Sequence, residues 1–139
     1  MAGTFKLSVV APDRSLVEDI EVQAVIAPAF DGYIGFFSNH SPFVASLKSG
    51  LLRYTNAEGE RNYVSVAGGF VEFADNICTV LANRAQQLKE LSAAEAERLL
   101  AEAKAALSGE MVGMSKEQAL EQLEVAMNVL KAQKSPPKL

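Results

Sequence analysis

The sequence predicts an α+β protein, in which an N-terminal antiparallel β-sandwich is followed by a C-terminal antiparallel α-helical hairpin. Up to about residue 85, short segments of alternating apolar and polar residues are separated by turn signals about every eight to twelve residues, which is typical of a sandwich or barrel. From Ser92 onward Ala, Glu, Leu and Gln dominate, and aromatic residues are absent. We therefore expect a β-sandwich domain at residues 1–85 and a helical hairpin domain at residues 86–139.

The first part of the chain divides into roughly eight to ten short strands by its spacing. Residues 4–10 illustrate the pattern, because Phe5, Leu7 and Val9 share one face of a strand while Lys6 and Ser8 share the other. The strand segments predicted in this way are residues 4–10, 19–27, 34–36, 43–47, 51–55, 61–66, 70–73 and 77–81.

A central segment, residues 28–50, contains the single histidine, His40. Asp31-Gly32 predicts a turn, since glycine adopts positive φ without steric cost. The polar residues around His40 interrupt the alternation, and Pro42 removes a backbone donor there. A polar loop beside large apolar residues, held by two strands, is a favourable place for contact with a partner.

The second part of the chain contains two predicted helices, each with a capping box at its start. The first begins at Ser92, with Glu95 as the reciprocal partner, and runs to about Leu107. Glycines follow, and the second helix begins after Ser115. Its apolar residues form a narrow seam with 3-4-3 spacing. The seam consists of Leu120, Leu123, Met127 and Leu130.

Composition excludes several classes of function. A net charge of −4 argues against a nucleic-acid-binding surface. Cys78 and His40 are the only residues of their types, so a Cys/His zinc site is excluded, and Cys78 in a strand is interpreted as a small buried hydrophobe. No apolar run is long enough to span a membrane, and we identify no signal peptide, so the chain is expected to stay where it is made unless a targeting segment was removed.

Catalytic chemistry is also not expected. His40 is the only candidate base near neutral pH. Ser38 and Ser41 lie beside it in the sequence, but adjacent residues on an extended chain point to opposite faces, so a catalytic Ser-His pair is not expected. We expect His40 to form hydrogen bonds within its loop and to shape it. Gly68-Gly69 lacks the lysine of a phosphate-binding loop and predicts a bend or bulge. We predict no catalytic, metal-binding or nucleotide-binding residues and no cofactor.

Two motifs carry a resemblance to a known family. Residues 31–50 read Asp-Gly-x-Ile-Gly-x-x-x-x-His-x-Pro-x-x-x-x-Leu-x-x-Gly, and residues 66–72 read Val-Ala-Gly-Gly-Phe-Val-Glu. Both motifs, the chain length and the order of a β-rich part and a helical part resemble the ε subunit of F-type ATP synthase. The resemblance covers nearly the whole chain and implies a sandwich of about ten short strands.

The resemblance implies a noncatalytic rotor subunit of the central stalk, which couples the γ shaft to the c-ring during ion-driven ATP synthesis. Its partners would be the γ subunit, the c-ring and the α/β catalytic head, on the cytoplasmic face of a bacterial inner membrane or its organelle equivalent. The membrane would be contacted only through the complex. The residues expected to contact the c-ring are Asp31, Gly32, Tyr33, Phe36, Phe37, Asn39, His40 and Pro42.

The helical tail has two interpretations. It either packs on the sandwich as a passive hairpin, which its residues alone favour, or extends as a regulatory arm that restrains ATP hydrolysis, which the resemblance favours. For the second, the apolar seam would pack on a helical partner and Lys131 and Lys134 would face an acidic surface of the head.

Two positions depart from the family pattern. Where some relatives bind ATP through Ile/Leu-Asp-x-x-Arg-Ala, residues 91–96 place Ser92 at the acid and Glu95 at the arginine, so we expect no ATP binding. Tyr33 stands where some relatives carry an acid, so contact with a ring loop would depend more on His40, Asp31 and apolar packing. The alternative function is a free-standing β-sandwich adaptor whose hairpin binds a partner helix.

Overall fold

The computed structural model describes residues 3–88, 93–109 and 113–134. The contacts divide the chain into two compact units, which separate between residues 90 and 91. In the described residues the first unit is all β and the second is all α. The strands are β1 (Phe5–Ala11), β2 (Arg14–Ala29), β3 (Gly32–Phe37), β4 (Phe43–Leu47), β5 (Gly50–Asn56), β6 (Arg61–Ala74) and β7 (Ile77–Leu88), and the helices are α1 (Ala93–Leu107) and α2 (Lys116–Lys134).

The sandwich is built from strands that serve both of its layers. The first half of β2 pairs with β1, and the second half pairs with β3 and β5. The first half of β6 pairs with β5 and the second half with β4, while β7 accompanies β6 along both halves. The first half of β7 also pairs with β1, in the one parallel pairing among the described strands. Counting halves, the two layers contain ten strand segments, but these belong to seven continuous strands.

The strand count therefore differs from the prediction of about ten short strands, and the reason is a change in the phase of the alternation. In β6 the side chains with no exposed surface are Val64 and Val66 before the bend and Val71 and Phe73 after it. A reading based on period two must end one strand and begin another at that point. The backbone instead continues through the bend at Gly68–Gly69, where φ is 70° and 120°. β7 likewise runs on to Leu88, three residues past the boundary expected at residue 85.

Apolar side chains from both layers form the core of the sandwich. Three phenylalanines lie at one end of it, with ring centroids 5.2 Å apart for Phe5 and Phe73 and 5.7 Å apart for the stacked pair Phe36 and Phe73. Cys78 is fully buried beside them in the same core cluster, and burial raises the pKa of its thiol to about 12. The thiol is therefore protonated at neutral pH, which confirms the interpretation of Cys78 as a small hydrophobe.

The helical unit confirms the predicted helices and one of their caps. The Ser115 amide donates to Gln118 Oε1 at 2.9 Å and the Gln118 amide donates to Ser115 Oγ at 3.1 Å, which is the capping box expected at the start of α2. Ser92, the cap predicted for α1, lies outside the described residues. After α1, Gly109 adopts φ 82°, as expected for a residue just past a helix end.

Among the described helix residues, the buried side chains are four alanines together with Val125, Val129 and Asn128, whereas the predicted leucine and methionine seam is covered only in part. Leu120 and Met127 are 48% and 56% exposed, whereas Leu123 and Leu130 are half-buried. Two of the four seam residues are therefore partly covered in this unit and two are left for another partner. Small residues allow close approach of the backbones, and Gln122 Nε2 donates to the Leu99 carbonyl at 3.0 Å. The buried alanines of the two helices are Ala96, Ala103, Ala119 and Ala126.

Replacing Gly69 with alanine should lower the free energy of unfolding more than any other glycine-to-alanine change in the sandwich. A Cβ at Gly69 would lie 2.0 Å from the Leu81 carbonyl oxygen, and its φ is unfavourable for any L-residue. We expect a loss of about 3 kcal/mol or more. Gly59→Ala is the matched control, because φ there is 87° but nothing lies within 4 Å of the added atom, so only about 1 to 2 kcal/mol should be lost. Equal losses in urea unfolding would show that the close approach at Gly69 is relieved by movement of β7.

Candidate functional site

The residues expected to contact the c-ring fall into two groups at opposite ends of β3. Asp31, Gly32 and Tyr33 lie at its start, next to the turn from β2, and His40 and Pro42 follow its end. Six residues of extended strand separate the groups by roughly 16 to 20 Å. A single compact contact loop is therefore wrong for this set, because the spacing in sequence is taken up by a strand.

The loop of residues 38–42, here called the 38–42 loop, is held by a tight turn and by aromatic packing. The His40 amide donates to the Phe37 carbonyl at 3.1 Å, and Asn39 adopts φ 67°, the left-handed conformation that Asn or Gly takes in such turns. The His40 ring lies 5.0 Å from Phe36 and 5.4 Å from Phe73 between centroids. His40 is thus part of the aromatic end of the core as well as of the surface.

The exposure of this group differs from residue to residue. Phe37 is 50% exposed and Asn39 and Pro42 are exposed, while His40 is half-buried. Phe36 is completely buried, so its assignment to a contact surface is wrong. The reason is the alternation of β3, which turns Phe36 into the core and Phe37 out of it.

A second loop lies against the 38–42 loop through a pair of amide side chains. The backbone amide of Asn39 donates to the side-chain oxygen Oδ1 of Asn76 at 2.6 Å, and Nδ2 of Asn76 donates to Oδ1 of Asn39 at 3.0 Å. Asp75 and Asn76 form the two-residue turn between β6 and β7, with φ 51° and 59° as in a type I′ hairpin. Sequence analysis did not identify Asn76 as a site residue, because its partner is 37 positions away.

The other group borders a groove between β3 and β4. These strands leave a gap because β4 pairs with β2 only at Leu47 and Ala29. Phe30, which is 73% exposed, lines the groove together with Tyr33 and Phe43. Burial raises the pKa of the Tyr33 hydroxyl, and its hydrogen bond with the backbone of Leu51 partly offsets this rise. The Tyr33 hydroxyl is therefore bonded to β5, whereas the acidic residue that some relatives carry here would be expected to face solvent.

An exposed apolar strip crosses the outer face of the layer that contains β4, β6 and β7. Phe70 lies opposite Leu81 on β7, and Val44 on β4 lies diagonally beside Phe70. Their exposed fractions are 56%, 55% and 64%. Sequence analysis missed this strip, although the signal was present: if Val71 and Phe73 are buried, the alternation turns Phe70 outward.

In α1, Arg98 forms ion pairs with two glutamates. Its guanidinium contacts Glu95 at 2.5 Å and also contacts Glu102. The hydrogen bond from Arg98 lowers the pKa of Glu95, so Glu95 is a carboxylate at neutral pH. That charge would oppose a phosphate at the position where the ATP-binding pattern has an arginine. Ser92, the other departure from that pattern, lies outside the described residues.

The described residues offer no constellation for metal or nucleophile chemistry. They contain no group of three or more His, Cys, Asp or Glu side chains close enough to hold a metal ion. His40 Nδ1 lies 2.6 Å from the Ser41 carbonyl oxygen and so bonds to backbone rather than to a serine hydroxyl. Neither helix, within the part that is described, is long and apolar enough to cross a membrane.

Comparison with known proteins identifies the family. Residues 4–88 match the model of the ATP synthase delta/epsilon chain β-sandwich domain. The ATP synthase epsilon chain of Symbiobacterium thermophilum is 35% identical over 126 residues, covering 91% of this chain and 90% of the relative. That of Carboxydothermus hydrogenoformans is 40% identical over 108 residues, covering 78% and 79%.

A solved structure shares the fold. It is a chain of the Euglena gracilis mitochondrial ATP synthase in an OSCP/F1/c-ring assembly, with a TM-score of 0.67 and 19% identity over 94% of this chain and 81% of that one. The match of the sandwich model, the identity along most of the chain and the order of sandwich and helices agree. The chain belongs to the family of ATP synthase epsilon chains.

Proposed function

We propose that this chain is a noncatalytic rotor subunit of the central stalk, in which the sandwich joins the γ shaft to the c-ring. The observation that carries the proposal is the apolar strip on the outer face of the sandwich. Exposed apolar patches of this kind mark protein contacts. Family membership supplies the identity of the partners, and the place of the chain would be peripheral, on the cytoplasmic face of a bacterial inner membrane or the organelle equivalent.

The strip suits a permanent partner such as γ. Phe70, Leu81 and Val44 come from three neighbouring strands, so their positions are fixed by strand pairing and little entropy is lost on binding. Their neighbours on the same outer face are mostly small or polar, which would form the rim of the contact. A shaft that transmits torque needs such a stiff surface.

The end of the sandwich with the 38–42 loop suits the contact with the c-ring. Phe37 and Pro42 offer exposed apolar surface, and Asn39 and His40 offer polar atoms on a backbone held by a turn. The Asp31 turn lies at the far end of β3, so we assign Asp31, Gly32 and Tyr33 to a separate contact beside the groove. They would reach the ring only if the ring's surface extends that far along the sandwich.

Replacing Phe70 with glutamate should detach the chain from γ. A carboxylate in the centre of an apolar contact is left without a partner, so we expect affinity for the purified γ subunit to fall at least tenfold. Ala57→Glu adds the same charge to an exposed hairpin loop and serves as the control. Because Phe70 is exposed, thermal unfolding of the free chain should change little. Unchanged binding of the Phe70 variant would place γ elsewhere.

Replacing His40 with glutamate should weaken attachment to the c-ring. The change removes ring contacts with Phe36 and Phe73 and places a carboxylate in the contact. His40→Gln loses the same ring contacts without the charge, so the difference between the two variants isolates the interface. We expect the glutamate variant to assemble more weakly than the glutamine variant at equal melting temperature. Equal assembly, with melting lowered in both, would make His40 purely structural.

The helical unit is proposed as a regulatory arm. Four of the buried side chains of its helices are alanines, which bury little area, and Leu120 and Met127 stay exposed in this packing. An alternative helical partner would cover those side chains, which the hairpin leaves uncovered. Lys131, which is exposed at the end of the predicted seam, would then face an acidic surface of the α/β head, and the same prediction for Lys134 concerns a side chain outside the described part of the structure.

Deleting residues 115–139 should raise ATP hydrolysis by the reconstituted enzyme while leaving assembly intact. The truncation removes the seam of α2, and the strand pairing of the sandwich contains no residue of that range. The measurement is the ATPase rate with full-length and truncated chains at low proton gradient. A second variant, Leu120→Ser with Met127→Ser, keeps α2 and removes only its exposed apolar side chains. Equal rates for all three chains would leave the hairpin a passive appendage.

The alternative is a free-standing adaptor, in which the same strip and hairpin bind an unrelated helical partner. The composition of the native complex separates the two proposals. Isolation through a tag on this chain should recover γ and c subunits if it is a rotor subunit. An adaptor would be recovered without them.

A further inference from the structure

We propose that Asn76 is a positioning residue for contact with the c-ring, which it serves by holding Asn39 and thereby the 38–42 loop. The proposal rests on the proposed function, since it assumes that this loop faces the ring. It adds a residue from a different part of the chain, on the turn between β6 and β7. This residue is not itself among those expected to contact the ring.

The contact between the two loops is reciprocal. Asn76 accepts a hydrogen bond from the Asn39 backbone amide through Oδ1 at 2.6 Å and donates one to the Asn39 side chain through Nδ2 at 3.0 Å. Asn76 is also fixed from its own side, because its carbonyl accepts the Lys6 amide at 3.1 Å. The 38–42 loop is thus bonded to the side chain of Asn76 on the β6–β7 hairpin, and the backbone carbonyl of the same residue is bonded to β1.

The backbone at both asparagines would suit glycine better. Asn39 and Asn76 have φ values of 67° and 59°, which cost an L-residue energy that glycine avoids. Asparagine tolerates this region, and its side-chain amide can donate and accept hydrogen bonds at once, which glycine cannot do. Glycine would satisfy the two turns, but it could not form the side-chain hydrogen bonds between them. The presence of asparagine at both positions therefore fits a role for the side-chain pair as well as for the turns.

The hydrogen-bonded pair matters for binding because it reduces the number of conformations that the 38–42 loop can adopt in the free chain. Apart from Asn76, two features hold the loop. One is the turn closed by the hydrogen bond between Phe37 and His40, and the other is the His40 ring, which packs on Phe36 and Phe43. Without Asn76, Asn39 and Pro42 would sample other arrangements in the free chain, and docking would have to select one of them. A loop held in its bound arrangement binds more tightly for that reason.

Glycine variants test this without introducing backbone strain. Asn76→Gly removes both hydrogen bonds, and Asn39→Gly removes only the one to the side chain, because the backbone amide remains. Asp75→Gly changes the neighbouring residue of the same turn, at φ 51°, and leaves the pair intact, so it is the matched control. The full-length variants are bound to a γ–c-ring complex that lacks this chain, well below their melting temperatures, so that every variant is folded.

We expect Asn76→Gly to raise the dissociation constant about three- to tenfold, as the net worth of one or two hydrogen bonds predicts. Asn39→Gly should also raise it, because this variant loses the side-chain hydrogen bond and a side chain proposed to face the ring. Since the two changes share that hydrogen bond, the double variant should raise the dissociation constant by less than the product of the two single effects, and Asp75→Gly by less than twofold. An additive double variant, or an Asn76→Gly chain that binds like Asp75→Gly, would overturn the proposal. A lower melting temperature with unchanged affinity would do so as well, because it would mean that the pair serves folding only.

The failure of this inference differs from failure of the proposed function. If His40→Glu binds more weakly than His40→Gln but Asn76→Gly binds normally, the loop faces the ring and only the role of Asn76 is wrong. If none of these variants affects binding of the folded chain, the ring contact lies elsewhere and both proposals fall.

Discussion

The bend of β6 at Gly68–Gly69 is the constraint on which the rest of the sandwich depends. β6 pairs with β4, β5 and β7, so a bend in this one strand carries the hydrogen bonding from one layer to the other. Gly69 comes so close to the Leu81 carbonyl that no side chain fits between them. The bend also changes which residues face inward, so that Val71 and Phe73 enter the core while Phe70 turns outward. The apolar strip on the surface is therefore a consequence of the same bend that closes the core.

The sequence contained most of this fold in its alternation and turn residues. Strand positions, the hairpin loops, both helices and the cap at Ser115 follow from local rules, since each depends on residues a few positions apart. Continuity of the long strands did not follow, because the phase change at Gly68–Gly69 resembles the end of a strand. The pairing of Asn39 with Asn76 was equally inaccessible, since it depends on how two distant turns meet at one end of the sandwich.

The candidate site was predicted less completely than the fold. The family motif from Asp31 to Gly50 is contiguous in sequence, and treating it as one surface ignored the length of β3, which places Asp31 and His40 at opposite ends. Alternation within β3 further buries Phe36 and exposes Phe37. For α2, leucine and methionine spacing defined the apolar seam, but the buried side chains are mostly smaller ones, alanines and valines. A helix with apolar residues on two faces cannot be assigned a single partner from spacing alone.

The exposed face of α2, with Leu120 and Met127, matters for the proposed regulation because it affects how stable the α1–α2 hairpin is relative to other arrangements. Burying an alanine removes much less apolar area from water than burying a leucine, so the α1–α2 contact gains part of its specificity from polar bonds. Gln122 donates to the Leu99 carbonyl and to Glu102, whose carboxylate also pairs with Arg98. These bonds lie partly in solvent and contribute little net free energy, since water replaces them when the helices part. The proposed regulatory arm requires that another arrangement, one that covers Leu120 and Met127, lie within a few kcal/mol of this hairpin, because a partner surface can select only an arrangement of comparable free energy.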